Sequence, residues 1–279
     1  MTLLFKTQIN TSENIELLKK NGLIRIPCFF DEAQTKKISS IISKYQPKKG
    51  SKESYFAKNY FIIFSKILKL DFVSFFENLS VLNICNSLNL EKFSEDYFNK
   101  KVFISMIDGY YSSKDVNSSI IPWHTDQAYS GLSVNEIKEY VNPNDFTLKF
   151  FIYLTDVYKD NGCMSYIPES HKITYLIRKG IFEGKLDYAP YWSIDQLQEF
   201  ISNKKNKNYI MANLDDSFSF DEFEKNIDKV IKKNDDQEFD YSMQAGDAII
   251  FNEGLIHKGS RLSHTDRKIL RFHFKPILN

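Results

Sequence analysis

A histidine and an aspartate two positions apart, His124 and Asp126 in Trp123-His124-Thr125-Asp126-Gln127, are a donor pair suited to a single metal ion. In an extended segment side chains alternate with period two, so both would project from one face. An imidazole nitrogen and a carboxylate oxygen would then take adjacent coordination positions. A second histidine completes the two-histidine, one-carboxylate arrangement of non-haem Fe(II) oxygenases, which leaves positions open for cosubstrate and O2. The same three donors also suit a zinc hydrolase. His-x-Asp by itself is common on protein surfaces, so its meaning rests on the partner. Of the remaining histidines, His257 is the best placed, because it follows the apolar strand Ala248 to Phe251. His264 is the rival, but it sits in the polar turn Ser263-His264-Thr265-Asp266 and reads as exposed. His171 reads as a structural residue that packs or caps a turn, and His273 as a satisfied wall residue.

Arg267 follows His257 on the next strand. A buried guanidinium there can take the distal carboxylate of a dicarboxylate cosubstrate in a bidentate fork, which a lysine cannot make. Lys149 and Tyr153 read as pocket groups on an earlier strand and as candidate cosubstrate-binding residues. The plainer reading is that Lys149 snorkels to the strand end and Tyr153 packs.

These residues need rigid elements to hold them. Thr147 to Val157 alternates, with Lys149, Phe151, Tyr153 and Thr155 on one face and Phe150, Ile152, Leu154 and Asp156 on the other. The second face is apolar and is expected to pack on a helical layer; the first suits a pocket wall. Arg267 to Phe274 alternates likewise, with Leu270, Phe272 and Phe274 opposite Arg267, Ile269, Arg271 and His273. Further strands are expected at Leu23 to Ile26, Val102 to Ile107, Met164 to Pro168 and Phe239 to Met243. Turns are expected at Asp115 to Ser119, Asp160-Asn161-Gly162 and Gln244 to Asp247. Helices are expected from Thr11-Ser12 to Asn21-Gly22, from Asp31 to about Tyr45, and over most of Phe56 to Leu90, where the spacing of Phe61, Phe64, Ile67, Leu68, Phe72, Phe75, Phe76 and Leu79 predicts a buried aromatic stripe. Pro47 to Ser54 reads as a solvated loop. Ile173 to Phe239 is rich in Lys, Asn, Asp and Glu, with capping signals at Ser193 and Asp221. It reads as a helical insertion over the active-site mouth.

Trp123 to Gln127, then Lys149 to Lys172 with its Asn161-Gly162 and Pro168-Glu169-Ser170-His171-Lys172, then Gln244 to Ser260 with Gly246-Asp247 and His257, then Arg267, occur in an order that resembles the phytanoyl-CoA dioxygenase family. The resemblance covers the order of elements from about Asn14 onward. It implies an Fe(II)- and 2-oxoglutarate-dependent oxygenase on a double-stranded β-helix. By the matching motif, His124, Asp126 and His257 are the iron ligands and Arg267 binds the cosubstrate carboxylate; Arg271 fits the family's spacing less well. Many members carry a serine two residues after the distal histidine as a second contact to the cosubstrate carboxylate; here Gly259 stands there, and Ser260, one residue on, is the candidate for that contact. The implied reaction hydroxylates an unactivated C–H bond of a small-molecule metabolite and releases succinate and CO2. Related halogenases replace the carboxylate with a small residue, so Asp126 favours hydroxylation or an oxidative desaturation or cyclisation. The alternative from another class is a non-catalytic jelly-roll ligand-binding protein.

The bulk properties agree. The 279 residues are 42% hydrophobic and 15% aromatic, enough for a sizeable core. A net charge of +1 gives no field toward nucleic acid or anionic membrane, and the short basic run Asn203 to Asn208 reads as a solvated loop. Cys28, Cys85 and Cys163 form no disulfide framework or zinc spacing, which fits a reducing cytoplasmic compartment. Cys163 reads as a small buried residue rather than a nucleophile. No apolar run suggests a signal peptide or a membrane span. The expected architecture is one domain, mostly β with helices: a jelly-roll core at 101–172 and 239–279, a helical N-terminal layer at 1–100, and a helical insertion or lid at 173–238.

Overall fold

The computed structural model describes residues 12–44, 46, 55–59, 72–115, 121–126, 142–159, 161–232 and 236–278. Nine strands occur among them: β1 (Leu23–Ile26), β2 (Tyr55–Asn59), β3 (Val102–Ser112), β4 (Leu148–Tyr153), β5 (Met164–Tyr166), β6 (Asp240–Tyr241), β7 (Ala248–Asn252), β8 (His257–Gly259) and β9 (Arg267–Pro276). They form two antiparallel sheets, a larger one ordered β1-β7-β4-β9-β3-β2 and a smaller one ordered β6-β5-β8. This is the double-stranded β-helix that the family resemblance implies.

Period two sorts the side chains of the large sheet. Leu148, Phe150 and Ile152 of β4, Ile250 of β7, and Leu270, Phe272 and Phe274 of β9 are fully buried on its outer face. They pack under α1 (Ser12–Asn21), α2 (Glu32–Ser43) and α4 (Leu90–Phe98), which contribute Leu18, Ile38, Ile42, Leu90 and Phe93. Each such side chain contributes about 1.5–3 kcal/mol on burial. The inner face carries Phe151, Tyr153, Ile249, Phe251 and Ile269, which meet Met164 and Tyr166 of the small sheet. The polar residues that share this parity, Lys149, Arg267, Arg271 and His273, are thereby set toward the space between the sheets.

The helices start and stop where their caps dictate. Asp31 and Gln34 form a capping box at the start of α2. Gly22, at φ +79°, ends α1, and a Cβ there would lie 2.4 Å from His171 Nδ1. α3 (Phe72–Ser87) leads into α4. Four helices follow β5: α5 (Ser170–Phe182), α6 (Ile194–Ser202), α7 (Lys204–Asn213) and α8 (Phe220–Ile231). Ser193 and Gln196 form the capping box of α6. These helices enclose a core of their own, including Ile177, Leu197, Phe200, Ile210, Phe223 and Ile227.

Several expectations are corrected. Tyr55–Asn59 is an edge strand paired with β3, not helix, because a free sheet edge outweighs local apolar spacing. Leu79 is exposed rather than part of a buried stripe. The helical region after β5 begins at Ser170, and Asn203 to Asn208 is the capped start of α7, not a loop. Ser219, not Asp221, caps α8; Asp221 lies in its first turn. The strand expected over Phe239 to Met243 is reduced to Asp240–Tyr241. The loop at 47–54, the pattern from Phe61 to Leu68, most of the turn ending at Ser119, and Thr11, Tyr45, Gln127 and Asp160 lie outside the described residues. Among the described residues no helix is long and apolar enough to cross a membrane.

Candidate metal centre

His124 and His257 meet through their backbones. Each N–H donates to the other's carbonyl at 2.9 Å, and the ring centroids stand 4.3 Å apart. His124 lies in this isolated bridge rather than in a regular strand, so the sheet ladder does not position it. The neighbouring backbone does: Thr125 N–H donates to Trp192 O at 3.0 Å, and Ile194 N–H to Trp123 O at 3.1 Å. His257 opens β8, opposite Tyr166 of β5.

The ring orientations follow from two carbonyls. His124 Nδ1 is 2.7 Å from Pro122 O, and His257 Nδ1 is 2.9 Å from Leu255 O. A carbonyl only accepts, so each Nδ1 carries the proton and each Nε2 keeps a lone pair. Both Nε2 atoms face Asp126, at 3.5 Å from Oδ1 and 3.3 Å from Oδ2. One donor atom from each residue lies within 4.8 Å of the others. Burial pushes His257 below the usual histidine range, which keeps it neutral and able to ligate. Burial alone would raise the Asp126 carboxyl, but its close neighbours, His257, the Lys149 ammonium and His124, hold it far below the carboxylate range. Three acceptors thus converge with no proton fixed between them, an arrangement that a bound cation satisfies.

Lys149 does not snorkel. Its Nζ donates to Asp126 Oδ2 at 2.6 Å and is largely buried. In register it lies between Phe251 of β7 and His273 of β9. His273 is a wall residue, as expected, but not a satisfied one: its Nε2 is buried with no hydrogen-bond partner. Burial, then the charges of Lys149 and Arg271, push it well below its ordinary pKa.

Arg267 sits at the start of β9 with one strong hydrogen bond, from Nη1 to Gly162 O at 2.8 Å. Its Nε is buried and unpartnered. The hydroxyls of Tyr153 and Tyr166 are also buried without partners, close enough to feel one another's charge and that of Arg267. Ser260 Oγ is likewise buried and unpartnered, one residue beyond Gly259, where an added Cβ would stand 3.8 Å from Arg267 Nη1. Donors buried without acceptors are costly, and a cluster of them is a place for an anion. Arg271, by contrast, is committed: Nε donates to Asp108 Oδ1 at 2.7 Å and Nη2 to the other oxygen.

The other histidines stand apart. His264 is exposed and stacks on Tyr158 at 6.4 Å. His171 is buried, with Nε2 3.1 Å from Lys19 O, joining α5 to α1. Cys163 is fully buried, as expected. Three residues escaped the sequence reading. Tyr166 was placed in a strand, but its orphaned hydroxyl depends on pairing with His257. Asp108 had no visible partner until β3 and β9 were aligned, Asp108 opposite Arg271. Asn161 was read as a turn residue; its Oδ1 accepts from the N–H groups of Ser263, His264 and Thr265, and its Nδ2 donates to Thr265 Oγ1 at 2.6 Å. That knot fixes the turn leading into Arg267.

A cation site of two neutral imidazoles and a carboxylate, with an anion cradle on the same interior of a double-stranded β-helix, is the design of the non-haem iron oxygenases that use 2-oxoglutarate. The model of the phytanoyl-CoA dioxygenase (PhyH) family matches residues 18–269, and the chain belongs to that family. Its cofactors are accordingly Fe(II) and 2-oxoglutarate, which the donor set and the arginine fit. Among curated proteins, none matches the chain by sequence. Solved structures share the fold. HygX from Streptomyces hygroscopicus with nickel and 2-oxoglutarate bound is 15% identical, with a TM-score of 0.53, over 96% of this chain and 88% of that one. The carbocyclase SnoK from nogalamycin biosynthesis is 13% identical, with a TM-score of 0.54, over 96% and 84%. AviO1 from Streptomyces viridochromogenes Tue57 is 12% identical, with a TM-score of 0.52, over 97% and 96%.

Proposed function

We propose that this chain hydroxylates an unactivated C–H bond of a small molecule, with conversion of 2-oxoglutarate and O2 to succinate and CO2. The observation that carries the reading is the convergence of His124 Nε2, His257 Nε2 and the Asp126 carboxylate, with both Nδ1 protons fixed by backbone carbonyls. In this reading the three side chains hold Fe(II), which when bound with 2-oxoglutarate and O2 supplies the oxidising chemistry. Asp126 fills the position that chloride would need, so hydroxylation is favoured over halogenation. Lys149 neutralises the second oxygen of Asp126 and fixes its orientation. Arg267, with Tyr153, Tyr166 and Ser260 as further donors, receives the distal carboxylate of 2-oxoglutarate. Phe151, Phe251 and Tyr166 wall the site and exclude water, which strengthens each of these polar contacts. A small-molecule substrate is supported by two relatives of the fold, HygX seen with hygromycin B and SnoN with nogalamycin RO. We assign no role to nucleic acid or membrane.

The test is succinate formation. Protein purified anaerobically and loaded with Fe(II) should form succinate from 2-oxoglutarate on exposure to air, slowly alone and faster with a substrate found by screening. Substrate gaining one oxygen atom supports hydroxylation; loss of two hydrogens would move the reading to desaturation or cyclisation. Succinate formation unaffected by chelation or by His257→Ala would refute the metal assignment. Ester or amide hydrolysis with zinc, and no succinate with iron, would make the chain a hydrolase.

A further inference from the structure

Two basic side chains from neighbouring strands face the same interior as the metal ligands without belonging to them. Lys149 and His273 are cross-strand partners on β4 and β9, a relation that puts Cβ atoms about 4.5–5.5 Å apart. An ammonium has three N–H donors. Lys149 gives one to Asp126, and no acceptor for the other two is found among the described residues. His273 Nε2 is buried with no partner, its ring held against Phe151 at 6.3 Å between centroids.

The charges on this interior pair off, with one exception. A metal dication would be matched by Asp126 together with one carboxylate of the cosubstrate, and Arg267 by the distal carboxylate. Asp108 is offset by Arg271, with which it forms a bidentate pair. Lys149 touches Asp126, but that carboxylate's charge is then already shared with the metal. The Lys149 ammonium is then left over, in surroundings where an uncompensated charge is costly. Residues 267 and 273 lie about 20 Å apart along an extended strand, so His273 stands well away from the Arg267 end of the cosubstrate.

Resting on the oxygenase reading above, we propose that Lys149 and His273 form an anion subsite of the substrate pocket, and that the substrate carries a carboxylate held there. One carboxylate oxygen accepts from the ammonium and the other from the imidazole N–H. A monoanion balances the surplus charge; a phosphate dianion would leave a negative charge in a site walled by Phe151 and Phe251. Lys149 thereby moves from the cosubstrate residues, where the sequence put it, to the substrate. The subsite also sits beside Asp126, so a C–H bond a few atoms from the carboxylate is brought to the metal ligands.

The experiment uses the full chain loaded anaerobically with Fe(II) and 2-oxoglutarate. It is titrated with matched pairs, hexanoate with hexanamide and 3-phenylpropionate with 3-phenylpropanamide, while the metal-to-ligand charge-transfer absorbance is followed. Each carboxylate should shift the band at about one-tenth the concentration its amide needs, or less. Lys149→Met should erase that preference, the carboxylate then shifting the band at no lower concentration than its amide. Lys149→Gln serves the same purpose should the methionine variant fail to fold. His273→Phe should weaken carboxylate binding and spare that of the amide. Equal or absent responses to acid and amide in the wild type overturn the proposal, as does a preference that survives both lysine variants. A tenfold or larger rise in the 2-oxoglutarate requirement of His273→Phe also overturns it, by assigning the pair to the cosubstrate. Failure of the charge-transfer band to form at all in the wild type would instead count against the oxygenase reading itself.

Discussion

Removing the Arg267 side chain should separate cosubstrate binding from metal binding. The guanidinium spends one hydrogen bond on Gly162 O and holds a buried Nε in reserve. Losing a buried charged partner costs about 3–5 kcal/mol, so Arg267→Ala should raise the apparent 2-oxoglutarate requirement by roughly two to four orders of magnitude. Iron binding should persist, because Arg267 is not a ligand. Folding should lose only about 1 kcal/mol, the worth of one hydrogen bond. Arg271 gives the contrast. Its removal leaves Asp108, 4% exposed, without its counter-charge. Arg271→Ala should therefore destabilise the fold by about 3–5 kcal/mol, a fall in Tm of roughly 10 °C. Asp108→Asn in the same chain should restore much of that loss. Arg267→Lys should recover part of the affinity, since charge is kept while the fork is lost. The assay is a 2-oxoglutarate titration of iron-loaded protein under nitrogen, followed by the charge-transfer absorbance, beside a thermal melt. A wild-type-like titration in Arg267→Ala, with a large shift in a folded Arg271→Ala, would refute the assignment.

Three further outcomes are expected. His124→Ala and His257→Ala should each abolish Fe(II) binding measured by calorimetry, while His264→Ala binds as wild type; the reverse pattern would discard His257 as a ligand. Burial lowers His171 to about 4. The folded state then binds fewer protons than the unfolded one between pH 6.5 and 4, so about 3 kcal/mol of stability, complete above pH 6.5, is lost as pH falls through that window. Denaturant melts should show that slope in wild type and a reduced one in His171→Gln; identical slopes would exclude His171 as its source. Asn161→Ala should cost about 2–4 kcal/mol by stripping three backbone N–H groups of their acceptor. It should also weaken 2-oxoglutarate binding through the turn before Arg267, and unchanged affinity would show that the turn keeps its shape without the side chain.

What could be read in the sequence was what has a period or a fixed chemistry. The alternation of Lys149 to Tyr153 and of Arg267 to Phe274 sorted core from interior correctly, because one face of each strand had to be apolar to meet the helices. Asp31 and Ser193 announced their helices because a cap is local chemistry. What escaped depends on pairing across the chain. Tyr55–Asn59 became a strand because β3 offered an edge. The Arg271–Asp108 pair, the contact of Lys149 with Asp126 and the knot tied by Asn161 all need a register that no single segment contains. The helical run at Asn203 to Asn208 was hidden by its polarity, since its cap is strong but its apolar face is narrow.

The core of the inserted helices includes Trp123 and Ile256, the residues immediately before His124 and His257. The helices are therefore not an accessory that can be exchanged while the centre stays as it was. A relative whose inserted helices are lengthened, trimmed or repacked to suit a different molecule will move the two backbones whose mutual hydrogen bonds set the spacing of the histidines. Grafting that region between family members to borrow a substrate preference should transfer a change in metal affinity along with it. Laboratory evolution toward new substrates should find its compensating changes around Trp123 and Ile256 before it finds them at the ligands.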